Sequence, residues 1–242
     1  MFLLIIAALA AYFIKGLCGF ANTLVFSTIL SFCMNNINIS PMELLLGYPS
    51  NIIIAWKERR SVNWKVCLPL ACLVLAGNIP GIFLLKNADT QSIKLFFGVV
   101  IIGVGLEMLS REWIPAKKQS SGKCAKIGLA VIGLVSGLLC GLYGIGALLA
   151  AYIGRVTKDS SSFKGNLCIV FIVENTFRII LYSVTGIITA ETIKGALLLM
   201  PAMAVGLFLG MKSGHFLNEK LIKKLVIVML ILSGVALIIN NI

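Results

Sequence analysis

The stretch LVIVMLILSGVALII, residues 225–239, is apolar on every face of any helix that it could form. A helix on the surface of a soluble protein keeps a polar face toward water, whereas one that is apolar all round is buried in a core or a membrane. Similar runs recur along the chain, and hydrophobic residues make up 59% of it while charged residues make up 12%. A soluble domain is about 45–50% apolar and about 25% charged. The chain is therefore predicted to be an all-α polytopic membrane protein.

Eight apolar segments can be distinguished along the sequence. They span residues 1–33, 41–56, 65–85, 93–110, 127–153, 163–186, 192–211 and 221–241. A hydrocarbon core about 30 Å thick needs roughly 20 residues of helix. The first and fifth segments are longer than one crossing requires, and both carry glycines near their middle.

These two glycine clusters resemble each other. GLCGFANTL begins at Gly16 and GLYGIGALL begins at Gly141, 125 positions later, with Gly, Leu, Gly and Leu in register. At the same offset, GIFLL from Gly81 recurs as GLFLG from Gly206. An ancient duplication is therefore predicted, as in many secondary transporters.

Loop charge predicts how the two halves are oriented. If all eight segments cross the membrane, the two sides carry ten and nine Lys and Arg residues, without the usual cytoplasmic excess. If the first segment of each half enters and returns on one side, 16 basic residues share one face and three lie on the other. We therefore predict two inverted repeats, 1–110 and 127–242, each with a re-entrant hairpin and three transmembrane helices. The cytoplasmic loops would be 57–65, the basic linker 111–126, 155–164 and 212–224, with both termini on the non-cytoplasmic side.

In this arrangement the glycines form the tips of the two hairpins. Each half-hairpin would be about 13 residues, or about 20 Å of helix, too short to span. Non-helical backbone at membrane depth is tolerated only where protein or a water-filled cavity covers it. A cavity is therefore predicted between the tips, which would contain Gly16, Gly19, Gly141, Gly144 and Gly146. The alternative is that these glycines only allow close helix packing.

The pair KGLCGFANTL and CGLYGIGALL, in a basic chain of two halves, resembles the sulfite exporter TauE/SafE family, also named toluenesulfonate uptake permeases. The resemblance covers essentially the whole chain. It implies a bacterial or archaeal inner-membrane carrier of small sulfur-containing anions such as sulfite, sulfonates or sulfoacetate. Phe20, Ala21 and Asn22 stand where more glycines are usual in the family, which leaves the substrate open.

Charged residues inside apolar segments are candidates for the substrate site, because such charges are costly in a membrane. Glu174 and Arg178 are four residues apart, on one face of a helix, with Asn175 adjacent. Arg is suited to binding an oxyanion, and Glu174 could orient it or exchange a proton. The alternative is an ion pair with a structural role only. Asn51 is the counterpart of Asn175 in the first half.

Other candidates surround the tips. Lys15 precedes the first tip and would bring positive charge to the cavity, or else would extend to the membrane interface. Asn22 and Asn78 are weaker candidates, and Cys18 could contact an anion but is better explained by packing. Glu43 is interpreted as part of a helix-capping box in which Ser40 is the N-cap. The full set of predicted substrate-binding residues is Lys15, Gly16, Cys18, Gly19, Asn22, Asn51, Gly141, Tyr143, Gly144, Gly146, Glu174, Asn175 and Arg178.

Other functions are disfavoured by what the sequence lacks. There is no nucleophile–base arrangement, Walker motif or metal-ligand cluster, so the chain is predicted not to be an enzyme and to need no cofactor. The net charge of +12 is explained by cytoplasmic loops near lipid headgroups, not by nucleic acid. The expected partners are a small anion, membrane lipids and either protons or sodium as coupling ion, and a homodimer is conceivable. A small-anion channel and a carrier of another organic anion stay open as alternatives.

Overall fold

The computed structural model describes residues 2–30, 36–87, 133–138, 140, 146–157 and 159–214, with isolated helical positions within 95–110 and 221–239. Every regular element in these parts of the chain is a helix. The predicted all-α class is therefore confirmed for the described residues. The linker 111–126 lies outside them, as does most of the apolar segments 93–110 and 221–241.

Seven α-helices follow one another in the part of the chain that the structure describes. They are α1 (Phe2–Cys18), α2 (Asn22–Leu30), α3 (Asn36–Lys57), α4 (Trp64–Asn87), α5 (Ala147–Val156), α6 (Ser160–Val184) and α7 (Ala190–Ser213). A 3-10 helix at Arg59–Ser61 connects α3 to α4. Each α-helix lies over one of the predicted apolar segments or over part of one.

The first apolar segment is a broken helix. α1 ends at Cys18, and α2 begins at Asn22. Between them Gly19 has a φ of 86° and Ala21 a φ of 73°, a left-handed conformation that ends a right-handed helix. α1 and α2 pack against each other. With 17 and 9 residues, at about 1.5 Å of rise per residue, neither is as long as the roughly 30 Å hydrocarbon core. The return of this pair to one side of the membrane stays a prediction.

The second glycine cluster is described only at its edges. Residues 133–138 and Cys140 are helical, and α5 begins after Gly146. Three of the predicted site residues between these points, Gly141, Tyr143 and Gly144, lie outside the described residues.

Glycines bring α1 and α7 into direct backbone contact. A Cβ added to Gly210 would lie 2.1 Å from the carbonyl oxygen of Phe13, and one added to Gly206 would lie 2.6 Å from that of Leu9. From the other side, a Cβ on Gly16 would lie 2.5 Å from the carbonyl oxygen of Leu207. Small residues at helix contacts are typical of membrane proteins. Gly16 is therefore a packing glycine within α1 and does not stand in the break itself.

A matching contact joins α4 to the helical residues 133–138. An added Cβ on Gly77 would lie 2.1 Å from the Leu134 carbonyl oxygen, and one on Gly137 would lie 2.1 Å from that of Val74. The first helix of each sequence half thus packs on a helix of the other half. Reciprocal contacts of this kind are expected of a duplicated chain.

The helix bounds recur at nearly the predicted offset. α2 begins at Asn22 and α5 at Ala147, which is 125 positions later. α4 spans residues 64–87 and α7 spans residues 190–213, so both ends differ by 126. These bounds favour the duplication, while the inverted orientation of its halves stays a prediction.

The polarity of the helices is that of a protein surrounded by lipid. α6 and α7 are long and apolar enough to cross a bilayer. On α7, large side chains point outward, with Leu197 at 56% and Phe208 at 63% exposure, whereas Arg178 of α6 is 1% exposed. An exposed apolar surface of this kind marks an interaction with lipid or protein. Among the described residues, only these two helices meet the criteria for a membrane span. The predicted crossings by the other apolar segments stay a prediction.

Candidate functional site

A small cavity lies where the break between α1 and α2 meets α3, α6 and the start of α5. The space open to the centre of a water molecule is about 20 Å³, enough for a water molecule or a compact ion. Its lining residues are Lys15, Phe20, Ala21, Asn22, Thr23, Leu24, Glu43, Asn51, Gly146, Phe171, Glu174, Asn175 and Arg178. The break thus places backbone and polar side chains beside charged groups in an otherwise apolar interior.

Arg178 is anchored through one of its terminal nitrogens. Its Nη1 donates to the carbonyl oxygen of Cys140 at 2.7 Å and to Oε1 of Glu174 at 3.4 Å. Its Nη2 lies 3.8 Å from Oε2 of Glu43. Its Nε is buried and has no hydrogen-bond partner among the described residues. The guanidinium is therefore fixed on one side and incompletely bonded on the side formed by Nε and Nη2.

The Glu174–Arg178 ion pair inferred from the spacing is present, and a third residue completes it. Asn78 of α4 donates from Nδ2 to Oε1 of Glu174 at 3.0 Å. Glu174 is 2% exposed, so its carboxylate depends on these partners because an unpaired buried charge is strongly unfavourable.

Lys15 lies inside the protein rather than at a membrane interface. It is 1% exposed and lines the cavity. Its Nζ lies 3.4 Å from the Gly47 carbonyl oxygen, to which it donates, and 5.8 Å from the centre of the Tyr12 ring. A carbonyl and an aromatic face thus hold the ammonium group, and the Glu43 carboxylate interacts with it electrostatically.

Glu43 belongs to the site, and its assignment to a capping box is wrong. α3 begins at Asn36, so Ser40 is not an N-cap and Pro41 lies inside the helix. Glu43 is 3% exposed, accepts a hydrogen bond from Nδ2 of Asn22 and approaches Arg178 from α3. The signal that could have identified it is the one used for Glu174, a carboxylate in an apolar segment.

The ionisable side chains of the cavity form a balanced set. With all four groups ionised, Lys15 and Arg178 supply two positive charges, and Glu43 and Glu174 supply two negative ones. All four residues are 3% exposed or less. Buried charges are tolerated when they are paired and hydrogen-bonded. Any anion that enters would upset this balance by at least one negative charge.

Two helix starts also face the cavity. The first turn of α2, residues 22–24, lines it, and so does Gly146, the N-cap of α5, which makes no side-chain capping hydrogen bond. The first backbone N–H groups of a helix lack intrahelical acceptors and carry a partial positive charge. Together with the two cations, they make the cavity suited to an anion.

The structure brings seven of the thirteen predicted site residues to this cavity. They are Lys15, Asn22, Asn51, Gly146, Glu174, Asn175 and Arg178. Gly16, Cys18 and Gly19 do not line it: Gly16 packs on α7, Cys18 is buried in an apolar cluster, and Gly19 forms the turn beside Lys164. Asn78, a weaker candidate, does not line the cavity but donates a hydrogen bond to Glu174. Asn51 leaves its Oδ1 without a partner among the described residues.

Comparison with known proteins agrees with the resemblance read from the glycine motifs. The sequence model of the family described as "Sulfite exporter TauE/SafE" matches residues 4–237. A protein of Comamonas testosteroni, described as "Probable inner membrane transporter protein TsaS", is 21% identical over 197 residues, 81% of each chain. No solved structure matches the chain.

Proposed function

The chain belongs to the sulfite exporter TauE/SafE family, and we propose that it is a secondary transporter of small sulfur-containing anions in a prokaryotic inner membrane. The family description and the relative's description as an inner membrane transporter support this class of function. The substrate proposed is sulfite, a sulfonate, sulfoacetate or a related oxyanion.

The observation that carries the proposal is the incompletely bonded edge of Arg178. Among the described residues, Nε has no hydrogen-bond partner, and Nη2 lies 3.8 Å from Oε2 of Glu43. Nε and Nη2 carry parallel N–H groups, and such an edge binds two oxygens of one oxyanion. Because the guanidinium is 1% exposed, water competes little for its N–H groups, and its hydrogen bonds to a bound anion are strong.

The rest of the cavity supplies a matching environment. Lys15 adds a second positive charge, and the first turn of α2 adds backbone donors. Asn51 and Asn175 offer amide groups to the remaining oxygens. The cavity is small, which favours a compact oxyanion head group, and a larger substituent would need the surrounding helices to move apart.

The broken helix suggests how access could alternate. In transporters built from repeats, substrate sites lie at discontinuous helices between the halves. Here the α1–α2 break comes from one half and Arg178, Glu174 and Gly146 come from the other. Movement of one half against the other would open the cavity toward one side and then the other.

Binding of anions to the purified full chain tests the proposal. Sulfite, sulfate, thiosulfate, sulfoacetate and methanesulfonate would be compared with chloride at equal ionic strength, by the shift in melting temperature. A ligand at a hundred times its Kd stabilises a protein by about 2.7 kcal/mol. At least one sulfur oxyanion should raise the melting temperature, and Arg178→Gln should reduce the shift to about half or less.

Arg60→Gln is the matched control, because Arg60 is exposed on the 3-10 helix. It should leave the shift unchanged. The proposal would be overturned if no sulfur oxyanion stabilised the protein, or if Arg60→Gln reduced the shift as much as Arg178→Gln. Uptake into reconstituted vesicles then separates a carrier from a channel: a carrier saturates with anion concentration, and a channel does not saturate over the same range.

A further inference from the structure

Glu43 joins three elements that meet at the cavity. It lies on α3, and it accepts a hydrogen bond from Asn22, the first residue of α2. Its Oε2 lies 3.8 Å from Nη2 of Arg178 on α6. The carboxylate therefore links the helix break to the guanidinium.

Glu43 occupies part of the place that an anion would need. An oxyanion bound side-on to Arg178 uses both Nε and Nη2. Nε is unpartnered among the described residues, but Nη2 faces Oε2 of Glu43. Full engagement of the anion therefore requires this carboxylate to withdraw from Nη2.

We propose that Glu43 couples anion binding to protons: an incoming anion displaces its carboxylate from Arg178, and the displaced carboxylate takes up one proton. This inference rests on the proposed transport function. It identifies the proton as the coupling ion and Glu43 as the residue that carries it.

The step balances in charge and atoms. Before it, Lys15 and Arg178 are balanced by two carboxylates. A monoanion adds one negative charge, and one proton from solvent forms an O–H bond on Glu43, so that the buried set returns to neutrality. The anion's oxygens take the N–H groups that Glu43 leaves, and no other bond changes.

Glu43 is better placed for this role than Glu174. Glu174 is fixed by Asn78 at 3.0 Å and by the anchored Nη1 of Arg178 at 3.4 Å. Glu43 instead faces Nη2, the nitrogen on the side that an anion would take, at the longer distance of 3.8 Å. Its other side-chain hydrogen-bond partners, Asn22 and Thr23, are the first two residues of α2. They directly follow the break, so a movement of the break changes the hydrogen bonding of Glu43.

The groups around Glu43 come from every packed element. α1 contributes Lys15 and Tyr12, whose hydroxyl donates to the backbone carbonyl of Glu43 at 3.3 Å. α2 contributes Asn22, and α6 contributes Glu174 and Arg178. The Cys140 thiol interacts electrostatically with Glu174, Arg178 and Glu43. α7 packs on α3 through Gly195, which contacts Met42, and through apolar side chains.

Proton uptake on anion binding tests this inference directly. Isothermal titration calorimetry of the purified full chain, in buffers of different ionisation enthalpy, counts the protons taken up. The ligand would be the panel anion that gives the largest melting-temperature shift. We expect about one proton per monoanion in the wild type and an affinity that falls about tenfold per pH unit once Glu43 is ionised.

We expect Glu43→Gln to bind the anion at least as tightly as the wild type. Its affinity should lack this pH dependence, and it should take up one proton fewer on binding. Comparing it with the wild type removes any proton exchange of the anion itself. Glu174→Gln is the matched control, a second buried carboxylate changed to an amide, and it should weaken binding while keeping the proton uptake.

Each outcome separates the two proposals. If no panel anion binds the wild type, the proposed function fails and this inference fails with it. If anions bind the wild type with no more proton uptake than Glu43→Gln, the inference alone is overturned. Loss of proton uptake in Glu174→Gln but not in Glu43→Gln would assign the role to Glu174. Binding that requires sodium and ignores pH would also overturn it. If Glu43→Gln does not fold, Glu43→Asp, which keeps a titrating carboxylate, must retain the uptake.

Discussion

Arg178 shows how a charge is kept in an apolar interior without being fully satisfied. Its Nη1 bonds to the Cys140 carbonyl and to Glu174, while Nε has no partner among the described residues. If Arg178 had only a structural role, all of its donors would be expected to have partners, because an unsatisfied buried donor costs stability. We therefore propose that a ligand uses this edge.

Arg178→Gln is expected to weaken anion binding roughly ten- to hundredfold, since hydrogen bonds to charged groups are worth about 1.5–3 kcal/mol each. Arg178→Lys keeps the charge but loses the planar pair of donors, and should recover only part of the affinity. Titration of the purified variants by calorimetry gives both values.

The double variant Arg178→Gln with Glu174→Gln distinguishes a binding role from a structural one. If affinity returned to near the wild-type value when both charges were removed, the pair would be structural and the anion site would lie elsewhere, at the backbone of the two glycine clusters. We expect the double variant to bind as weakly as Arg178→Gln alone.

Most charged residues of the cavity could be predicted from the sequence one residue at a time, and Glu43 is the exception. Lys15 and Glu174 were recognised because a charge in an apolar run needs a partner. Glu43 satisfies the same criterion, but SPME also matches a local helix-start signal. The helix-start signal in SPME does not apply, because α3 begins four residues before Ser40. The Glu43 carboxylate is instead held by residues of α2 and α6 that are distant in the sequence. No spacing rule indicates such contacts.

At the scale of the elements, α6 supports both the break between α1 and α2 and the described edge of the second glycine cluster. Lys164, near its start, lies 3.4 Å from the Gly16 carbonyl oxygen at the end of α1 and donates to it. Arg178, near its other end, donates to the carbonyl of Cys140, the last described helical residue before the second glycine cluster. Cations near helix C-termini are favourable. The break near Gly19 could be anticipated from its glycines, whereas the use of α6 as a common support could not.

Gly19→Ala is expected to impair transport while the protein still inserts. Gly19 has a φ of 86°, and an added Cβ would lie 2.8 Å from Cγ of Lys164. The left-handed conformation costs roughly 1–2 kcal/mol for other residues. Gly154→Ala is the control, since its Cβ would meet only the Phe163 ring at 3.6 Å. Equal transport by the two variants in reconstituted vesicles would contradict a role for the break.

Gly210→Ala should act differently, by preventing assembly of the helices. Its Cβ would lie 2.1 Å from the Phe13 carbonyl oxygen, so α1 and α7 would have to separate. We expect a loss of folded protein, measured as monodisperse material after detergent extraction. Extraction at the wild-type level would show that this backbone contact does not determine assembly.

At the scale of the whole molecule, the first helix of each predicted half packs on a helix of the other. α1 packs on α7, and residues 133–138 pack on α4. The predicted offset of 125 rests on a few glycines and leucines, and several of these glycines lie at close backbone contacts, where small residues are required. Orientation in the membrane depends on loop charge, which is independent of these contacts and needs its own test.

The inverted arrangement predicts the side on which each loop lies. The 16-to-3 division of basic residues places 111–126 and 155–164 together in the cytoplasm, with position 89 on the other face. Single cysteines at Lys118, Lys158 and Asp89, in a chain whose seven native cysteines are replaced, would be labelled in intact cells with an impermeant maleimide. Only the cysteine at 89 should react before the cells are lysed, and all three should react afterwards. Eight simple crossings instead place 118 and 158 on opposite faces, so a different response of these two positions would overturn the inverted repeat. The background must retain anion uptake, which shows that the labelled protein has the native fold.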